Sequence, residues 1–460
     1  MGTFQGSGDL PSSLPELPGA PAPLPRPWTG HSGGGVDTAL TASAPAPLGN
    51  GPFRLFLVGE SVSLLGTQVS ELALPLTAIY LFSAGPGAVG LLRGAQLLPY
   101  LLFSLILGVW IDRHRRRPLM IGANAVRLVV VAAIPVLAGL NRLELRFVYV
   151  AAFLVGSAAV LFDLSTMSFV PTLVRGPGKL LEANGRIGVV SYSAEAAGPA
   201  VGGGLVAVLT APIAMAVDAA SYAASLVTLL LVRTPEPRPD PTNRRPALTE
   251  LVEGLRFVFG GSHLRSLVLV GAAYNFFSVA TSSMFLLYAV KALHMSAGEV
   301  GGVLSVAAIA GVVGSLAARR LLGRFRLGAV YAGSVSIAFL GPVLIPAAAG
   351  PRWLVVTMVV LGCGLMSASG GVSNVTVVTL RRVSTPDRLL GRMNAGFRTL
   401  LFGGGTLGGP VGGLLGATFG LRSGLWVIAS GAAIMVLPVV MSPIARLRQL
   451  PATAGEQSGR

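Results

Sequence analysis

Apolar and polar positions alternate along this chain on the scale of whole helices rather than single turns. From residue 52 onward, apolar runs of about 20 residues follow one another, separated by short polar breaks. That is the length a helix needs to cross about 30 Å of hydrocarbon. The runs predict spans over 55–82, 88–110, 118–139, 147–170, 185–209 and 212–232. A second set is predicted over 265–290, 298–322, 328–349, 353–379, 390–418 and 422–445. Between the sets, 233–264 is a hydrophilic linker opening on Pro235, Pro237, Pro239 and Pro241. Its Leu248, Leu251, Val252, Leu255 and Phe259 recur at helical spacing, as in a helix lying on a membrane surface.

This pattern predicts an all-α membrane protein of twelve transmembrane helices in two six-helix bundles, 53–232 and 265–445, joined by the linker. The segment 1–52 is rich in Pro, Gly and Ala without sustained periodicity and is expected to be a disordered cytoplasmic tail. Residues 446–460 form a second cytoplasmic tail.

Composition strengthens the membrane reading. Hydrophobic residues make up 52% of the chain and charged ones 11%, with a mean hydropathy of +0.72. Soluble domains carry about 25% charge. The net charge of +16 could suggest nucleic acid, but the arginines concentrate in alternate short loops, which points to orientation in a membrane instead. Arg113, Arg115, Arg116 and Arg117 follow the second run. Arg319, Arg320, Arg324 and Arg326 surround the end of the eighth, and Arg381, Arg382 and Arg388 follow the tenth. The positive-inside rule then places both termini in the cytoplasm, and a bacterial inner membrane is the expected location.

The two halves share a repeat. Gly185, Ala194, Gly198, Pro199 and Gly202 have the same spacing as Gly396, Gly405, Gly409, Pro410 and Gly413. Small residues four apart allow close helix approach, and repetition in both halves is expected of a duplicated transporter.

On these residues the chain resembles the major facilitator superfamily. Gly108, Asp112, Arg113, Arg116 and Arg117 are similar to the family's signature between its second and third helices, with Arg115 where glycine is usual. Gly314, Ala318 and Arg319 resemble its degenerate copy, with Ala318 in place of the acid. Gly185, Gly198, Pro199, Gly202 and Gly203 are similar to the fifth-helix antiporter motif, with Ala194 replacing a glycine. Phrases around Ser63–Gly66, Leu98–Tyr100, Glu182–Asn184 and Asp218–Ser221 resemble the bacterial exporter branch that includes the enterobactin exporter and macrolide-efflux-like proteins. The resemblance implies a gate in which Asp112, with Arg113, Arg116 and Arg117 beside it, faces the start of the eleventh helix. It also implies a cavity lined by the first, fourth, seventh and tenth helices.

Polar stripes agree with such a cavity. Glu60, Ser63, Thr67 and Glu71 share one face of the first span at about 100° per residue. Asn275, Ser278 and Ser282 share a face of the seventh, and Ser367 and Asn374 of the tenth. Charges within spans are costly unless paired or hydrated, which singles out Glu71, Arg93, Arg127, Asp163, Glu195 and Asp218. Glu71, alone or with Asp163, is the expected proton-coupling or substrate residue. Alternatively Glu71 pairs with Arg93, and Arg127 neutralises Asp163. Glu195 and Asp218 read as structural. The arginine that often opens the fourth helix of the family's proton antiporters is missing beside Gly156.

Neither lysine stands in a phosphate-binding loop, and no nucleophile elbow or set of metal ligands occurs. No enzyme, cofactor or metal is therefore expected. The expected function is secondary active export of a small organic molecule, a drug, siderophore or secondary metabolite, by alternating access in exchange for protons, by a monomer in the bilayer. The alternatives are an importer of the same fold and a non-transporting membrane sensor or assembly partner.

Overall fold

The computed structural model describes residues 2–3, 51–174, 176–234, 236, 247–386 and 389–447. Most of both expected tails, the linker prolines and Arg388 lie outside the described residues. So do a few side chains inside helices, Asp112 among them.

The first half is six long helices: α1 (Gly51–Phe82), α2 (Pro86–Asp112), α3 (Arg116–Gly139), α4 (Leu145–Leu173), α5 (Pro177–Leu209) and α6 (Ala211–Leu231). The short α7 (Ala247–Gly260) lies in the linker. The second half follows with α8 (Ser262–Lys291), α9 (Ala297–Arg324), α10 (Leu327–Leu340) and α11 (Leu344–Ala347). It is completed by α12 (Arg352–Val383), α13 (Leu390–Phe419), α14 (Leu421–Ile434) and α15 (Val436–Met441).

All twelve expected spans are present, and ten of the described helical segments are long and apolar enough to cross a membrane. Two spans predicted as continuous are broken. The ninth passes from α10 through a 3-10 turn, Gly341–Val343, into α11. The twelfth turns at Met435 between α14 and α15. Pro342 and Pro438 lie just inside these breaks. A proline has no N–H to give the carbonyl four residues earlier, and its ring crowds that carbonyl. Hydropathy averaged over 20 residues is blind to such a break.

The halves repeat one packing scheme. α1 packs on α5 and α6 as α8 packs on α13 and α14; α2 pairs with α4 as α9 pairs with α12. Even the connections match. A single left-handed residue joins α5 to α6, Thr210 (φ 80, ψ 157), and another joins α13 to α14, Gly420 (φ 84, ψ 164). This backbone region belongs almost wholly to glycine. Thr210→Gly is therefore expected to stabilise the fold by about 1 kcal/mol, the relief of strain exceeding the entropy glycine adds to the unfolded chain. A lower midpoint of thermal unfolding in detergent would contradict this.

Large side chains such as Val129, Val208, Leu316, Leu361, Leu414 and Leu437 are exposed on the outer surface. Apolar exposure of this breadth needs lipid around it.

Candidate functional site

The halves meet most tightly at the face opposite the arginine-rich loops. There α2 crosses α13 and α5 crosses α9. A β-carbon placed on Gly90 would overlap the Gly409 carbonyl oxygen and come within 2.7 Å of the Gly413 α-carbon. On the other crossing, one placed on Gly301 would overlap the Pro199 carbonyl and lie 3.0 Å from the Gly203 α-carbon. Lys291 adds a tie across the halves, donating to the carbonyls of Ser83 at 3.3 Å and Ala84 at 3.0 Å.

The repeated glycine motif thus does two jobs. Gly198 and Gly202 sit against Gln68 and Val69 of α1 within their own half, whereas Gly203, Gly409 and Gly413 touch the other half, and Pro410 presses on Gly94 of α2. Gly405 makes ordinary contact with Val279, and a β-carbon on Gly185 would meet nothing within 4 Å. Gly185 therefore takes no part in close packing here, although its spacing suggested that it would.

Beneath this seal lies a cavity of about 150 Å³ bounded by Gln68, Glu71, Arg93, Gln96 and Ser282. The Arg93 Nη1 stands 4.0 Å from a Glu71 carboxylate oxygen and donates to Gln96 Oε1 at 3.0 Å. Glu71 remains 47% exposed, so the pair is loose and hydrated. A second cavity, of about 550 Å³, runs from mid-helix towards the arginine-rich face. Its wall includes Asn275, Ser278, Ser315, Ser367 and Asn374, with Tyr274 and Tyr331, and α5 contributes Tyr192 and Glu195 from the other half. Arg381 lines the cavity at its arginine-rich end, its guanidinium 4.7 Å from the centre of the Phe397 ring. Glu195, read as structural from its place beside the glycines, is an exposed cavity-wall acid within electrostatic reach of Glu71. Only the rotation of α5 decides which way it points.

The remaining charges gather inside the first half. Arg127 is 6% exposed and lies between the rings of Phe162, at 4.9 Å, and Tyr222, at 5.4 Å. Its Nε has no hydrogen-bond partner among the described residues. The direct Arg127–Asp163 pairing considered above is not formed. Instead Tyr100 donates its hydroxyl hydrogen to Asp163 Oδ2 at 2.7 Å. Glu60 is 8% exposed and feels the charges of both Asp163 and Arg127, while Asp218, fully buried, accepts from the Ser221 hydroxyl at 3.1 Å. Thr67 bonds to the Tyr222 hydroxyl at 3.0 Å and so turns away from both cavities.

The signature loop is held within its own half. The Glu236 carboxylate accepts from the backbone N–H of Arg116 at 2.7 Å and of Arg117 at 2.8 Å, capping the positive end of α3. Arg117 in turn donates to the last carbonyls of α6, Leu229 and Leu230, each at 2.8 Å. Arg113 is exposed, and the expected contact of Asp112 with the start of α13 falls on a side chain outside the described residues. Glu236 stands between Pro235 and Pro237 of the linker and gave no signal in the sequence, since a cap supplied from over a hundred residues away has no local pattern.

Two helical halves, sealed together at one face around internal cavities and surrounded by an apolar exterior, have the architecture of a multi-pass membrane transporter. The chain belongs to the Major Facilitator Superfamily, whose family model matches residues 56–385. It is 24% identical over 412 residues to macrolide efflux protein A of Streptococcus pyogenes, covering 86% of this chain and 97% of that protein. It is also 24% identical over 417 residues to the enterobactin exporter EntS of Citrobacter koseri, covering 87% and 94%. Among solved structures, a bacterial homologue of the iron transporter ferroportin in its inward-facing state superposes with a TM-score of 0.69 at 16% identity, covering 86% of this chain and 98% of that one.

Proposed function

We propose that this protein exports an amphiphilic or cationic organic molecule from a bacterial cytoplasm across the inner membrane, by alternating access and in exchange for protons. The observation that carries the reading is a 550 Å³ cavity reaching towards the arginine-rich face while the opposite face is closed by glycine-to-backbone contacts. A cavity of that size suits a drug-sized ligand. With the arginine-rich loops and both termini on the cytoplasmic side, this arrangement is an inward-facing state. The names of the relatives, for macrolide and enterobactin efflux, support export over uptake. The cavity walls are mostly neutral, with Glu71 and Glu195 as acids able to attract a cationic group, and Arg93 and Arg381 as their counter-charges. Glu71, half-exposed at the cavity beneath the seal, is the acid placed to exchange a proton or meet substrate, and the half-buried Asp163, bonded to Tyr100, shares that role.

The test loads cells expressing the protein with a panel of fluorescent dyes and antibiotics and follows their loss with and without a protonophore. Wild type should lose at least one compound faster than control cells, and the protonophore should abolish the gain. Glu71→Gln, with an unchanged amount of protein in the membrane, should cut that export at least about tenfold, as expected for removal of an acid acting in the transport step. Full export by Glu71→Gln would remove this residue from the mechanism.

A further inference from the structure

At mid-depth, two helices from opposite halves each present a pair of side chains four residues apart, and a tyrosine from a third helix locks between them. On α4 the pair is Asp163 and Met167; on α13 it is Arg398 and Phe402. Residues at that spacing share one helix face. Tyr100 of α2 donates to Asp163 Oδ2 at 2.7 Å, while its ring lies flat on Phe402, with centroids 4.6 Å apart and planes 16° from parallel. The Arg398 guanidinium sits 5.4 Å from the centre of the same Phe402 ring and its Nη1 reaches Met167 Sδ at 3.7 Å. The circuit thus runs from Asp163 to Tyr100, across the interface to Phe402 and Arg398, and back to α4.

We propose that Tyr100 is a positioning residue that transmits the charge state of Asp163 to the C-terminal half through its stack on Phe402. The inference rests on the proton-coupled reading above and gives that reading a route between the halves. A phenol hydrogen bond to a carboxylate is roughly twice as strong as one to a neutral acceptor. With Asp163 ionised, the hydroxyl is held and the ring is fixed against α13. With Asp163 protonated, the hold weakens, the ring is free to turn, and the contact between α2 and α13 loosens at this depth. The other charged and titratable groups on this side of Asp163 belong to its own half and do not cross the interface. These are Glu60 of α1, within electrostatic reach of Asp163, and Arg127 of α3, with Asp218 and Tyr222 of α6 behind Arg127. Arg398 of α13 is the charge from the opposite half that bears on Tyr100.

The experiment needs no substrate. The full chain with Cys363→Ala is placed in lipid nanodiscs and spin-labelled at cysteines replacing His114 and Phe325, exposed residues in arginine-face turns of the two halves. Distance distributions are then recorded from acid to alkaline pH. Wild type should interconvert between two distance populations with a pH midpoint. Asp163→Asn should leave their ratio insensitive to pH. Tyr100→Phe keeps the ring but loses the bond to the carboxylate, so the pH-driven change in ratio should shrink severalfold. Phe402→Leu keeps that bond and should shrink the pH-driven change in ratio severalfold. If wild type shows no pH dependence, the proton-coupled reading fails and takes the relay with it. If wild type responds but Tyr100→Phe and Phe402→Leu both titrate like it, the relay alone is wrong. Thermal unfolding of each variant guards against misfolding as the cause.

Discussion

Valine in place of Gly90 is expected to reduce transport about tenfold or more while leaving the protein folded in the membrane. The neighbours of a β-carbon at Gly90 are the Gly409 carbonyl and the backbone of Gly413, so no side-chain movement can make room. Overpacking of this kind costs about 1–3 kcal/mol. Here the penalty falls only on the state in which α2 and α13 are in contact, because Gly90 faces the other half rather than its own bundle. A bias of about 1.4 kcal/mol shifts a two-state equilibrium tenfold. Gly301→Val at the α5–α9 crossing should act the same way, since its neighbours are the backbone of Pro199 and Gly203. The measurement pairs dye export with labelling of a cysteine at Ser282, which lines the cavity beneath the seal. A membrane-impermeant thiol reagent added from the sealed face should reach it faster in Gly90→Val than in wild type. Normal export with unchanged labelling would mean that the seam does not open and close.

Removing the charge of Arg127 should have the largest effect on stability. Two buried acids on two helices, Glu60 of α1 and Asp218 of α6, act on this one guanidinium in a water-poor interior. Its flanking rings, Phe162 and Tyr222, supply cation–π attraction that methionine cannot replace. Loss of one partner from a buried charge group typically costs about 3–5 kcal/mol, because the remaining charges are left uncompensated. Arg127→Met should therefore lower the thermal midpoint sharply and reduce the amount of folded protein recovered. Adding Glu60→Gln should restore part of the loss, with a coupling of about 0.5–3 kcal/mol between the two sites. Strict additivity of the two substitutions would show that Glu60 and Arg127 do not interact through charge.

How far each feature was legible follows from the range of the forces that shape it. Backbone groups in hydrocarbon must bond within their own segment, so twenty apolar residues dictate a spanning helix whatever its neighbours. The sequence alone therefore determined the twelve spans, the division into two halves, the repeated glycine spacing and the family. It also marked the faces of α8 and α12 that carry Asn275, Ser278 and Asn374 to one cavity, because helical periodicity is local.

Tertiary packing decided the rest. Spacing could not distinguish Gly203, which touches Gly301 across the halves, from Gly185, which touches nothing, since that depends on which helix passes by. Nor could it predict that Thr67 turns into the first bundle while Glu71, one turn on, opens to a cavity; about 40° around the helix axis separates the two fates. Glu195 on the cavity wall, Glu236 capping α3, and Tyr100 joining Asp163 to Phe402 all depend on partners far away in sequence. A pattern within one segment sets which residues avoid lipid. Only the packed fold determines which of them meet each other, because buried charges and rings act through contacts of a few ångströms between helices that the chain brings together last.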